Sequence, residues 1–156
     1  GKEAAWIEMQ GYVYGACMQD AIPYPGVVEF CLACKRRDIP LYIISHKTHY
    51  PFDGPHYNLH EAAQMWLDRY GFYDPSGIGL AKNHVYFDLT KQEKLNRITQ
   101  MACTHFVDDL PEFLLEGNFP LNVERVLFDP NHIYPTNSQY LYAISWTEIQ
   151  EALLER

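Results

Sequence analysis

The sequence predicts a single α/β domain: a three-layer, Rossmann-like parallel sheet with helices on both faces. Three observations predict it. Short apolar runs of strand length recur at residues 40–45, 85–88, 104–107 and 125–128. Stretches with helical periodicity alternate with them, which is the signature of parallel strands joined by crossover helices. Polar residues gather where the runs stop, at Ser45, Asp88 and Asp108-Asp109. That is the rim at which open α/β sheets bind ligands.

In chain order, residues 3–21 carry Trp6, Met9, Tyr12 or Val13, and Cys17 at helical spacing, interrupted by Gly11 and Gly15. Residues 1–22 are thus expected as an N-terminal helix set apart from a core over 23–156. Pro23-Tyr24-Pro25-Gly26 breaks the chain, and a second helix runs to about Arg37 with basic residues in its last turn. The first strand follows. Residues 46–57 form a loop rich in His, Pro and aromatics, and Asn58 caps a helix over 59–70 that stops at Gly71. Thr90 and Glu93 form a capping box that opens a helix to about Ala102. The run ending at Asp109 leads into a short helix at 111–116 that begins on Pro111, and a helix at 146–154 capped by Thr147 or Ser145 closes the chain.

Composition narrows the function classes. Twenty acids against 12 bases give a net charge of −8, without a basic stripe, which argues against nucleic acid and anionic membranes as partners. No apolar run approaches the roughly 20 residues of a membrane span, and none reads as a secretory signal. Cys17, Cys31, Cys34 and Cys103 read as reduced core thiols, which suits a cytoplasmic protein. Cys31-x-x-Cys34 has no second pair to complete a zinc site.

The chemistry centres on residues 104–113, a buried run that ends on two adjacent carboxylates. Such a pair suits a hard cation such as Mg2+, held together with waters and a phosphate; it also suits helix capping. Ser45 at one strand end, Lys91 and Lys94 at a helix start, and the Asp pair at another strand end share one rim of a parallel sheet. A hydroxyl, an ammonium and metal-binding acids together make a phosphate site.

This order resembles the haloacid dehalogenase-like phosphohydrolase superfamily. Residues 24–30 followed by 39–47 look like the helix leading into its second motif, with Ser45 as the phosphate-binding hydroxyl. Residues 90–94 look like its third motif, with Lys91 the first choice for the phosphate lysine and Lys94 the second. Phe106-Val107-Asp108-Asp109 resembles its acidic fourth motif, with Asp109 the favoured metal ligand. His46, Lys47 and Thr48 would border the substrate. The resemblance implies Mg2+, a small phosphorylated substrate and phosphomonoester hydrolysis, and residues 1–22 would be a cap remnant.

The family's first motif, a strand ending Asp-x-Asp that supplies the nucleophile, has no counterpart: the chain contains no Asp-x-Asp. Asp88, followed by Leu89 and Thr90, is the nearest substitute. The chain is therefore read as a fragment of a longer protein, inactive by itself for want of an attacking carboxylate. The absent strand belongs at the centre of the sheet. Residues 41–45 are then expected to close onto 104–107, giving about four parallel strands, or a strand from a second chain fills the gap and makes a homo-oligomer through the sheet edges. Two other readings stand beside the hydrolase: a non-catalytic α/β domain that binds phosphate, and a zinc hydrolase using the His56/His60 spacing.

Overall fold

A computed structural model describes residues 21–47 and 58–155. The helix expected over 3–21, Thr48, and the loop histidines His49 and His56 lie outside the described residues. Five helices and five short strands follow in the order α1 (Val27–Arg36), β1 (Ile43–His46), α2 (Leu59–Arg69), β2 (Val85–Asp88), α3 (Lys91–Gln100), β3 (His105–Asp108), α4 (Pro111–Leu114), β4 (Glu124–Phe128), β5 (Leu141–Ala143) and α5 (Trp146–Leu154). The fold is mixed α/β, and among the described residues all strand pairings are parallel.

Local chemistry explains the element ends. Thr90 Oγ1 accepts from the Glu93 N–H at 3.1 Å while the Glu93 carboxylate accepts from the Leu89 N–H at 3.0 Å, a reciprocal capping box. A second one opens α5, where Ser145 Oγ accepts from Glu148 N–H at 3.1 Å and Glu148 accepts from Ile144 N–H at 2.9 Å. Asn58 Oδ1 caps α2 through the Glu61 N–H at 3.0 Å. Gly26 begins α1 at φ +89, a left-handed conformation that favours glycine, and a Cβ there would lie 3.1 Å from Trp146 Cβ. α1 and α5 can therefore pack closely at that end.

The strands form two sheets, β1-β2 and β3-β4-β5. This corrects the expectation that residues 41–45 close directly onto 104–107: among the described residues no backbone ladder joins β1 to β3. The strand count also changes, because Leu141–Ala143 adds β5 alongside β4. Two apolar clusters cover the sheets. Val27, Phe30, Trp66, Trp146 and Ile149 of α1, α2 and α5 pack with Ile43, Val107, Val126 and Ala143. Leu95, Ile98, Phe113 and Phe119 pack with Ile44, Phe106 and Leu127. Alternate residues of one strand thus enter opposite clusters, as the two-residue period of a strand requires. Buried Cys31 and Cys34 belong to the first cluster, as core thiols.

Candidate functional site

The rim formed by the C-terminal ends of β1, β2 and β3 collects most of the buried polar side chains. Asp108 closes β3 and is fully buried. Its Oδ2 accepts from Lys94 Nζ at 2.7 Å and its Oδ1 accepts from the Leu110 N–H at 3.0 Å. Lys94 is itself 1 % exposed, with its ammonium 4.0 Å from the ring centroid of Phe113. An ammonium in that position survives burial because a carboxylate and an aromatic face replace its water.

Lys91 takes a different course. Its side chain is half-exposed and reaches Glu116 at 2.9 Å, and that carboxylate holds its pKa above the usual lysine value. Of the two lysines, Lys94 reaches the Asp pair, at Asp108, while Lys91 turns to Glu116. The pair divides as strand alternation requires, with Asp108 buried on Lys94 and Asp109 half-buried.

Ser45 is fully exposed to neither solvent nor partner: it is completely buried, and its Oγ makes no hydrogen bond among the described residues. A buried hydroxyl left unsatisfied costs on the order of 1–3 kcal/mol, so a ligand that accepts or donates there would be stabilising. Next to it, His46 is exposed at the end of β1. Burial of part of its ring, then the nearby positive charge of Lys94, hold its pKa below 6.5; Lys91 adds to the effect, and a backbone hydrogen bond at Leu89 and the Asp88 charge oppose it. His46 therefore lies within the field of Lys94, and α3 packs against β1. Lys47 is buried; its N–H extends the β1–β2 ladder to Asp88 O at 2.8 Å, and its carbonyl accepts from His60 Nε2 at 2.5 Å.

Two features of the rim are not evident from the sequence. Asp88, buried at the end of β2, pairs with Arg97 at 3.2 Å, and the guanidinium stacks over Tyr86 with its carbon 4.2 Å from the centroid. α3 thus sends one base to a carboxylate of β2 and another to a carboxylate of β3. The available signal was the three-residue spacing of Lys94 and Arg97 on a helix that packs over strand ends. The second feature is the His60 contact to Lys47, which engages the ring otherwise read as half of a zinc pair.

An Mg2+ site does not fit these residues as they stand. Lys94 neutralises Asp108, and among the described residues no group of three or more His, Cys, Asp or Glu is placed to hold a metal ion. Comparison with family models, with curated proteins and with solved structures returned no match.

Proposed function

We propose that this rim binds the phosphoryl group of a small phosphorylated molecule, as the phosphate-binding part of a haloacid dehalogenase-like phosphohydrolase with a three-layer core, in a cytoplasmic setting. The observation that carries the reading is Lys94. A lysine held 2.7 Å from Asp108 in a dry site is a preorganised positive charge at the end of a parallel strand. Ser45 supports it with a buried hydroxyl in want of a partner, one residue before a histidine that feels the same ammonium.

Binding and hydrolysis part company here. Asp108 is held through both oxygens, by Lys94 and by the Leu110 N–H, whereas Arg97 holds only Oδ1 of Asp88, whose Oδ2 makes no hydrogen bond among the described residues. The reading is of phosphate binding, with no attacking carboxylate assigned.

Titration of inorganic phosphate, followed through the amide resonances of residues 45–47 and 90–94, tests the reading. Two charge-assisted contacts of about 2 kcal/mol each predict a dissociation constant near 1 mM. Ser45→Ala should weaken binding about thirtyfold while leaving the fold intact. Lys94→Met strands Asp108 in the core and is expected to destabilise the protein by about 3–5 kcal/mol, so it is compared with the Lys94→Met/Asp108→Asn pair. Phosphate affinity unchanged in Ser45→Ala and in the double variant would sink the proposal.

A further inference from the structure

The end of β3 opposite the rim carries a second group of polar side chains. His105, the first residue of β3, has both ring nitrogens engaged. Its Nδ1 lies 2.9 Å from Thr104 Oγ1 and its Nε2 lies 3.0 Å from a carboxylate oxygen of Glu124. A carboxylate can only accept, so Nε2 carries the proton of the neutral ring and Nδ1 is left bare. Thr104 Oγ1 therefore donates to Nδ1. A hydroxyl is thus aligned on a general base whose other nitrogen is held by an acid, the arrangement that activates a nucleophile. The side chains of His105 and Glu124 are 41 % and 40 % exposed, so their pairing adds little to stability. Thr104 is exposed as well.

Thr104 and His105 also line an apolar cavity of about 430 Å³, within the size range of small-molecule sites. Phe30 of α1, Ile39 and Leu41 ahead of β1, Met101 after α3, Val107 of β3 and Leu153 of α5 supply its walls. Among the described residues no Asp, Glu, Lys or Arg lines it, so it suits an apolar group and disfavours a charged one. The Glu124 N–H bonds to Thr104 O at 2.8 Å, so His105 turns its own N–H away from β4. No residue of β4 lines the cavity, and among the described residues no strand pairs with β3 on that side. A backbone donor thus stands on the cavity side, one residue after the hydroxyl. The N–H of the residue after a nucleophile is a recurrent oxyanion donor in acyl transfer. Three residues of strand, about 10 Å, separate His105 from Asp108, so this group is apart from the phosphate rim and does not rest on the reading of that rim.

We propose that Thr104, His105 and Glu124 form an acyl-transfer site that hydrolyses esters of apolar carboxylic acids, the acyl chain lying in the cavity. Thr104 and His105 are the catalytic residues, and Glu124 is a positioning residue that fixes the ring and its tautomer. In the first step Thr104 Oγ1 bonds to the ester carbonyl carbon while its proton passes to His105 Nδ1. The His105 N–H donates to the oxyanion. The tetrahedral intermediate collapses by breaking the bond to the leaving alkoxide, which takes the proton from Nδ1 and departs as the alcohol. Water then adds to the acyl group on Thr104, giving a proton to Nδ1. Collapse releases the carboxylic acid and returns that proton to Thr104 Oγ1. Each step is redox-neutral, and water is the one co-reactant.

Release of p-nitrophenolate from p-nitrophenyl octanoate and p-nitrophenyl acetate by the 156-residue protein tests this without phosphate. Both esters should turn over above the buffer rate. A buried methylene is worth about fourfold in kcat/KM, so the octanoate should exceed the acetate by at least about tenfold. Thr104→Val and His105→Gln change exposed side chains, so both are expected to fold, and each should lower kcat/KM by about a hundredfold or more. Glu124→Gln should lower kcat about tenfold with KM unchanged, and Glu124→Asp should restore part of it. Acid quenching followed by peptide mass mapping should locate the octanoyl group on Thr104. The proposal is overturned if the native protein does not exceed the buffer rate, or if turnover survives in Thr104→Val or His105→Gln. It is equally overturned if the octanoyl group sits on another residue, if the two esters react alike, or if Glu124→Gln turns over as fast as the native protein.

Discussion

His46 shows how one side chain reports on the rim. Its neighbours are Lys94 and Lys91 of α3, Asp88 of β2 and the backbone of Leu89, and burial and the lysines outweigh the acid and the Leu89 hydrogen bond. The folded protein therefore disfavours the charged imidazole. The sign follows directly: because the folded pKa lies below the unfolded value of about 6.5, this contribution is fully present above that pH and is lost as pH falls toward the folded pKa. Thermal stability should drop more between pH 7.5 and pH 5.5 in the native protein than in His46→Asn. Equal drops in the two proteins would show that His46 does not sense Lys94. Lys94 itself could not be ranked over Lys91 from the sequence, since both lie on the helical face that carries Leu95 and Ile98. Height along the axis decides. Three residues are about 4.5 Å of rise, enough to bring Lys94 level with the end of β3 while Lys91 reaches past it to Glu116.

Elements that announce their ends chemically were legible before the fold was known. The Thr90–Glu93 and Asn58 caps lie where residue type placed them, and α5 spans Trp146–Leu154, with Ser145 and not Thr147 as its cap. β5 was not legible. Three residues, Leu141–Ala143, are too short to display a period, and their strand character comes from pairing with β4. Gly26 illustrates a local requirement with an element-scale consequence. Gly26→Ala forces an L side chain into φ +89 and pushes its Cβ to 3.1 Å from Trp146 Cβ, where α1 meets α5. A left-handed non-glycine residue costs about 1–2 kcal/mol by itself. Gly71 has φ +75 with nothing within 4 Å of the added Cβ, so Gly71→Ala carries only that backbone cost. Gly26→Ala should therefore be the more destabilising of the two, lowering Tm by about 4–8 °C. A smaller drop than that of Gly71→Ala would mean that the helix contact yields freely.

At the scale of the whole molecule, acidity and metal affinity are separate matters. The chain carries a net charge of −8, yet its acids are dispersed, and the pair closest to a metal-like arrangement is compensated from within. The sequence, which shows adjacent carboxylates at a strand end, could not show that one of them already holds a buried ammonium at 2.7 Å. Mg2+ needs near-octahedral oxygen ligands at about 2.0–2.1 Å and sheds its water reluctantly, so a site must offer concentrated negative charge to hold it. Seating Mg2+ beside Lys94 would place two positive centres together or displace the lysine into a dry core, and each course costs several kcal/mol. Mg2+ affinity of the protein is accordingly expected to be weaker than about 1 mM, with Asp109→Asn changing it less than about threefold. Lys94→Met should strengthen it, because the Asp108 charge is then uncompensated. Calorimetric titration distinguishes the cases. Micromolar Mg2+ binding that disappears in Asp109→Asn would mean that the carboxylate pair is a metal site in spite of the lysine, and that the electrostatic account of this rim is wrong.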